Sequence, residues 1–153
     1  VKDFTAKGGW WVVAQVVLFV AVSASWVLDR VGWGPVAVGI GGVLALAGVV
    51  LGGTGLFSLG RHLSPYPTPR PDAVLVDSGP YRLVRHPIYG GIVLGSVGIS
   101  VADGSWVGLL LAGVLFGLFW EKTHVEESRL VDAVPGYQAY RRRVRRRLIP
   151  GLL

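Results

Sequence analysis

A chain of 153 residues has room for one domain, and with 52% hydrophobic and only 16% charged residues its composition is far from that of a soluble globular protein. The absence of cysteine excludes disulfides, thiolate metal sites and a cysteine nucleophile, and three histidines without a close His or Cys partner add no metal signal. A net charge of +6 is compatible with nucleic acid or anionic lipid, but it is concentrated in a tail beside apolar segments, which favours lipid headgroups and speaks against nucleic acid.

Lys2 and Lys7 precede the first apolar run, Trp10 to Leu28, and Val22-Ser23-Ala24 faintly resembles a signal cleavage site. The run is about as long as a full span, which fits a spanning helix better than a signal-peptide core. The second run, Pro35 to Leu59, carries Gly39, Gly41, Gly42, Gly48, Gly52, Gly53 and Gly55. So small a face suits close helix contact in a membrane, a packing seam in preference to a substrate groove. The third run, Pro87 to Ala102, is shorter than the roughly 20 residues of a usual span and is expected to tilt or to be covered by protein at its ends. Ala102-Asp103-Gly104-Ser105 reads as a tight turn into the fourth run, Ser105 to Trp120, with Ser105 as N-cap. The fold class expected is all-α, a single integral membrane domain over 1–153 with about four transmembrane helices.

The loop of residues 60–86 contains Pro65, Pro67, Pro69 and Pro71, which prevent a helix and favour an extended course. After the fourth span nothing breaks the helix from Glu121 to Val134, so it is expected to continue out of the membrane until Pro135-Gly136. Tyr137 to Arg147 is read as a second, strongly basic helix. Of the 15 Lys and Arg residues, Arg30 alone falls in the two short turns, and the other 14 lie in the N-terminus, the central loop and the tail of residues 121–153. The positive-inside rule then puts both termini and the loop in the cytosol, as in a bacterial inner membrane.

Two groups of residues stand out chemically. Pro87 is well placed as first helical residue, which sets Arg85 and His86 at the positive end of a helix, beside unpaired N–H groups that suit a carboxylate or phosphate. Gly90 and Gly91 leave room for a ligand to approach the backbone. The bland alternative is a boundary cap, Arg85 on lipid phosphate and Tyr81 and Tyr89 in an aromatic belt. The second group is Glu126-Glu127, adjacent carboxylates with Leu130 and Val131 at their i+4 positions. They call for an external partner such as an ammonium or a ribose diol, unless Arg129 pairs with Glu126 on an ordinary solvated face. The run Arg141-Arg142-Arg143-Val144-Arg145-Arg146-Arg147 is explained by attraction to anionic lipid headgroups, at about 1 kcal/mol per charge.

Together these residues resemble a known family. Arg85-His86-Pro87 with Tyr89 and Gly91 is similar to the signature of membrane methyltransferases related to isoprenylcysteine carboxyl methyltransferase and phosphatidylethanolamine methyltransferase. Leu75 to Tyr81 resembles the segment leading into it, Glu126-Glu127-Ser128-Arg129-Leu130 the paired-glutamate motif, and Tyr137 to Tyr140, Val144 and Ile149-Pro150 the family ending. The resemblance covers about half of the chain, from Leu75 onward. It implies an S-adenosylmethionine pocket at the cytosolic boundary, formed with the C-terminal helical extension, and methyl transfer to a lipophilic or membrane-associated acceptor. The residues it implies for the cofactor are Tyr81, Arg85, His86, Tyr89, Gly91, Glu126 and Glu127. Arg85 is additionally expected to orient an anionic acceptor and Glu126 to help a protonated one lose its proton. Two rival readings are an NADPH-dependent reductase of the membrane sterol type, which shares an HPxY-like segment, and a non-catalytic lipid-binding adaptor.

Overall fold

Each of the four apolar runs becomes a helix, and the helix ends follow from local chemistry. The computed structural model describes residues 2–69 and 73–151; Pro71, counted above among the loop prolines, lies outside them. The helices are α1 (Lys2–Ala6), α2 (Gly9–Leu28), α3 (Pro35–Leu59), α4 (Pro87–Asp103), α5 (Trp106–Ala133) and α6 (Tyr137–Arg143), with 3-10 turns at Gly60–His62 and Gly79–Arg82. Pro35 and Pro87 open α3 and α4 at the position where a missing N–H costs nothing. Ser105 caps α5, its hydroxyl accepting the Gly108 N–H at 2.8 Å. Gly104 and Gly136 take left-handed φ of 71° and 83°, which closes the α4–α5 hairpin and separates α5 from α6.

Three helices, α2, α3 and α5, are long and apolar enough to cross a membrane, and the 17 residues of α4 form a shorter apolar helix. At about 1.5 Å per residue α4 measures about 26 Å, just under a bilayer core of about 30 Å. The 28 residues of α5 exceed that core by about two turns, so the helix projects beyond it on the face where α4 begins. Val20, Val27, Val43 and Val49 are each about two thirds or more exposed, an arrangement that suits lipid and not water. The chain is an all-α integral membrane protein.

Four glycines of α3, Gly41, Gly48, Gly52 and Gly55, form a seam against α4, whereas Gly39, Gly42 and Gly53 face open space. A methyl group at Gly41 or Gly48 would overlap the backbone of α4 at Gly98 and Ala102 or at Gly91 and Gly95, and the converse holds for Gly91 and Gly98. Backbones this close maximise dispersion contact where the hydrophobic effect is absent. On the other side α4 meets α5 through Val93, Leu115 and Phe119, with Leu18 and Phe19 of α2 packed against them. At the end remote from the loop, Asp29 Oδ2 accepts the Ser105 hydroxyl (3.0 Å) and the Val107 N–H (2.8 Å), an acidic group at a helix N-terminus that locks α2 to the hairpin.

The tail departs from expectation. The helix that starts at Tyr137 stops at Arg143, and the next residues run extended against the start of α4. There the Arg85 N–H bonds the Arg146 carbonyl at 3.0 Å and the His86 N–H bonds the Arg147 carbonyl at 2.8 Å. Buried donors just ahead of a helix need acceptors, and an extended tail can bring two successive carbonyls to them.

Candidate functional site

The loop end and the projecting part of α5 meet, as the hairpin requires. Glu127, 1% exposed, sits at the centre of a cluster of cations. Arg85 grips it with two nitrogens, Nε to Oε1 at 2.7 Å and Nη2 to Oε2 at 3.3 Å. His86 Nε2 lies 3.1 Å from the same Oε1. Arg141 and Arg147 approach to 3.3 and 3.5 Å. The remaining terminal nitrogen of Arg85 donates to the carbonyls of Val144 and Arg145, both at 2.7 Å. Burial by itself would raise the Glu127 carboxyl, but the hydrogen bonds and charges of His86 and Arg85 outweigh it and hold the group at about 2.

Glu126 has a different setting. Adjacent helical residues point about 100° apart, so while Glu127 faces the cations, Glu126 accepts the Tyr89 hydroxyl at 3.1 Å. Tyr89 is stacked between His86 and Phe119, with centroids 5.8 and 4.5 Å away. Neither glutamate is on an ordinary solvated face, and Arg129 bonds the Thr68 hydroxyl instead of Glu126. The expectation that both carboxylates look outward is corrected for Glu127, because three guanidinium groups and an imidazole reach it from within the chain.

A cavity of roughly 450 Å³ opens beside this cluster, lined by Tyr81, Arg85, His86, Tyr89 and Glu126, by apolar residues of α3 such as Leu56 and Leu59, and by the proline loop. Five of the residues expected at a cofactor site therefore share one wall. Glu127 lies behind that wall, and Gly91 faces Gly48 and Gly52 of α3. Gly90 is approached not by open space but by the Leu148 carbonyl, onto which a Cβ would fall.

A family model described as phospholipid methyltransferase matches residues 36–134, well over half of the chain and inclusive of both motifs. The chain belongs to that family. Among curated relatives, the cobalt-zinc-cadmium resistance protein CzcN of Cupriavidus metallidurans is 33% identical over 93 residues, 60% of this chain and 43% of that protein. The protein-S-isoprenylcysteine O-methyltransferase of Schizosaccharomyces pombe is 36% identical over 75 residues, 48% of this chain and 32% of that enzyme. The chain thus spans less than half the length of either curated relative. No solved structure matches it.

Several groups of this family member's site escaped the sequence reading. Lys122, fully buried, donates to Gln15 Oε1 (2.7 Å) and the Pro65 carbonyl (2.9 Å), tying α2 and the proline loop to the cavity wall. Arg147, 8% exposed, has its guanidinium 4.6 Å from the Trp120 ring centroid. Burial lowers the pKa of that guanidinium, against the opposing pull of Glu127. In the sequence it is one of six arginines in a run, and only its burial separates it from the exposed Arg145 and Arg146.

Proposed function

We propose that this protein transfers a methyl group from S-adenosylmethionine to a lipophilic or membrane-associated acceptor at the membrane boundary. The observation that carries the proposal is that Arg85, His86 and Glu126, the glutamate about 40 residues on in sequence, line one cavity next to the apolar zone. The groups on the wall fit the cofactor. Glu126 offers a carboxylate to an ammonium or a ribose diol, and His86 and Tyr89 add polar groups to the same cavity lining. The cofactor supplies a methyl group already activated on a sulfonium, so alignment and exclusion of water are what remain for the protein.

The residues divide that work. Arg85 has all three guanidinium nitrogens engaged within the chain, so it contributes a rigid wall and a positive field more than a free hydrogen-bonding fork. Glu127 clamps Arg85 and His86 in place, a positioning role, while Glu126 faces the ligand. Leu56, Leu59 and Leu63 keep water from the side of the cavity nearest the membrane. The exposed Arg142, Arg145 and Arg146 attract anionic headgroups and hold this face to the lipid. With basic residues gathered on this face, both termini lie in the cytosol, in the manner of a bacterial inner membrane protein.

Calorimetric titration of purified protein in detergent with S-adenosylhomocysteine and, separately, NADPH tests the proposal. Binding of the first alone is expected. Binding of NADPH alone would replace this reading by a reductase, and binding of neither to folded protein would leave the adaptor.

A further inference from the structure

Tyr137 begins α6 directly after the Gly136 turn and is 5% exposed. Its ring is held in an apolar cluster with Val134, Tyr140 and Val144, against which Leu75 and Leu130 pack. It lines the same cavity as His86, Tyr89 and Glu126. Neighbouring tyrosines there have partners: Tyr89 donates to Glu126 at 3.1 Å, and Tyr140 donates to the Tyr81 carbonyl at 2.8 Å. The Tyr137 hydroxyl is buried and has none among the described residues.

A buried hydroxyl without a partner is costly and uncommon, and a ring fixed in a packed cluster cannot swing out to find one. Phenylalanine would fill the same cluster without that cost, so the oxygen calls for a ligand. Burial, reinforced by the charges of Glu127 and Glu126, pushes the phenol upward, which keeps it a neutral hydrogen-bond donor across the physiological range. We infer that Tyr137 is a cofactor-positioning residue, whose hydroxyl donates a hydrogen bond to a lone pair of S-adenosylmethionine bound in this cavity. The inference rests on the methyltransferase reading and adds to it a residue that lies outside both motifs.

The test is Tyr137→Phe, which removes one oxygen, read by two measurements on protein in detergent. The first is the melting temperature without ligand, and the second is the affinity for S-adenosylhomocysteine by calorimetry. Tyr137→Phe is expected to melt no lower than the wild type, since the lost hydroxyl had no partner, yet to bind roughly 5- to 15-fold more weakly. Tyr140→Phe is the counter-case, melting lower for loss of its bond to Tyr81 with a smaller loss of affinity. Undiminished affinity in Tyr137→Phe, or an equal loss in both variants, overturns the inference and leaves the methyltransferase reading standing. A lowered melting temperature in Tyr137→Phe also overturns it, by showing that the hydroxyl serves the fold. Failure of folded wild-type protein to bind S-adenosylhomocysteine removes the methyltransferase reading, and this inference with it.

Discussion

Replacing Glu127 by Gln removes the one carboxylate at the centre of a buried cation cluster while keeping its shape. Removal of one partner from a buried ion pair typically costs about 3–5 kcal/mol, because the other charge is left uncompensated. Here Arg85 and His86 are each 7% exposed, so water cannot replace the lost charge. Arg85 keeps its bonds to the Val144 and Arg145 carbonyls, and a Gln carbonyl can still accept from Nε, which places the cost at the lower end, about 3 kcal/mol. At roughly 2–4 °C per kcal/mol for a chain of this size, the melting temperature in detergent should fall by about 6–12 °C. Glu126→Gln loses only an acceptor for Tyr89 at the cavity wall and should stay within about 1 kcal/mol of the wild type. The pH dependence has a definite sign. Glu127 is held at about 2 in the folded protein against an ordinary value of 4.5. Its contribution is therefore complete above the unfolded value and is lost as pH falls through the folded one. The gap between wild type and Glu127→Gln should therefore close as pH falls from about 4.5 towards about 2. Equal melting temperatures for the two proteins at pH 7, or a larger fall for Glu126→Gln, would refute the division of roles between the adjacent glutamates.

Glu126→Gln should weaken S-adenosylhomocysteine binding by roughly tenfold, the worth of one charge-assisted hydrogen bond, and unchanged affinity in calorimetry would remove Glu126 from the cofactor wall. Gly90→Ala should lift the extended tail from α4, because its methyl falls on the Leu148 carbonyl, whereas Gly95→Ala has open space. Faster tryptic cleavage after Arg145 and Arg146 in the first variant only is the expected result. Since the chain has no cysteine, single cysteines at Val31 and Ser78, both exposed, can be labelled with an impermeant reagent in intact cells. They should react from opposite sides, Val31 from outside, and reaction of both from outside would refute the proposed orientation.

The existence and ends of α2, α3, α4 and α5 were legible because a bilayer acts locally on sequence. Apolar length, Pro35, Pro87, the Ser105 cap and the break at Pro135-Gly136 need no distant partner to take effect, and the hairpin they define already brings residue 86 near residue 126. The glycine seam was legible for the same reason, small residues recurring along one helix. Tertiary structure alone decided which glutamate meets the cations, since the two are neighbours in sequence and differ only in helical direction. It alone decided that Arg147 is buried against Trp120 while Arg145 and Arg146 stay exposed, and that Lys122 bonds groups 57 and 107 residues away. It also ended α6 early, because the backbone donors of Arg85 and His86 take carbonyls from the tail, about 60 residues on. Composition determines where a chain enters and leaves the membrane, since transfer into lipid depends on each segment by itself. The pairing of buried charges depends on what lies across a few ångströms of low-dielectric space, and only the packed helices set that.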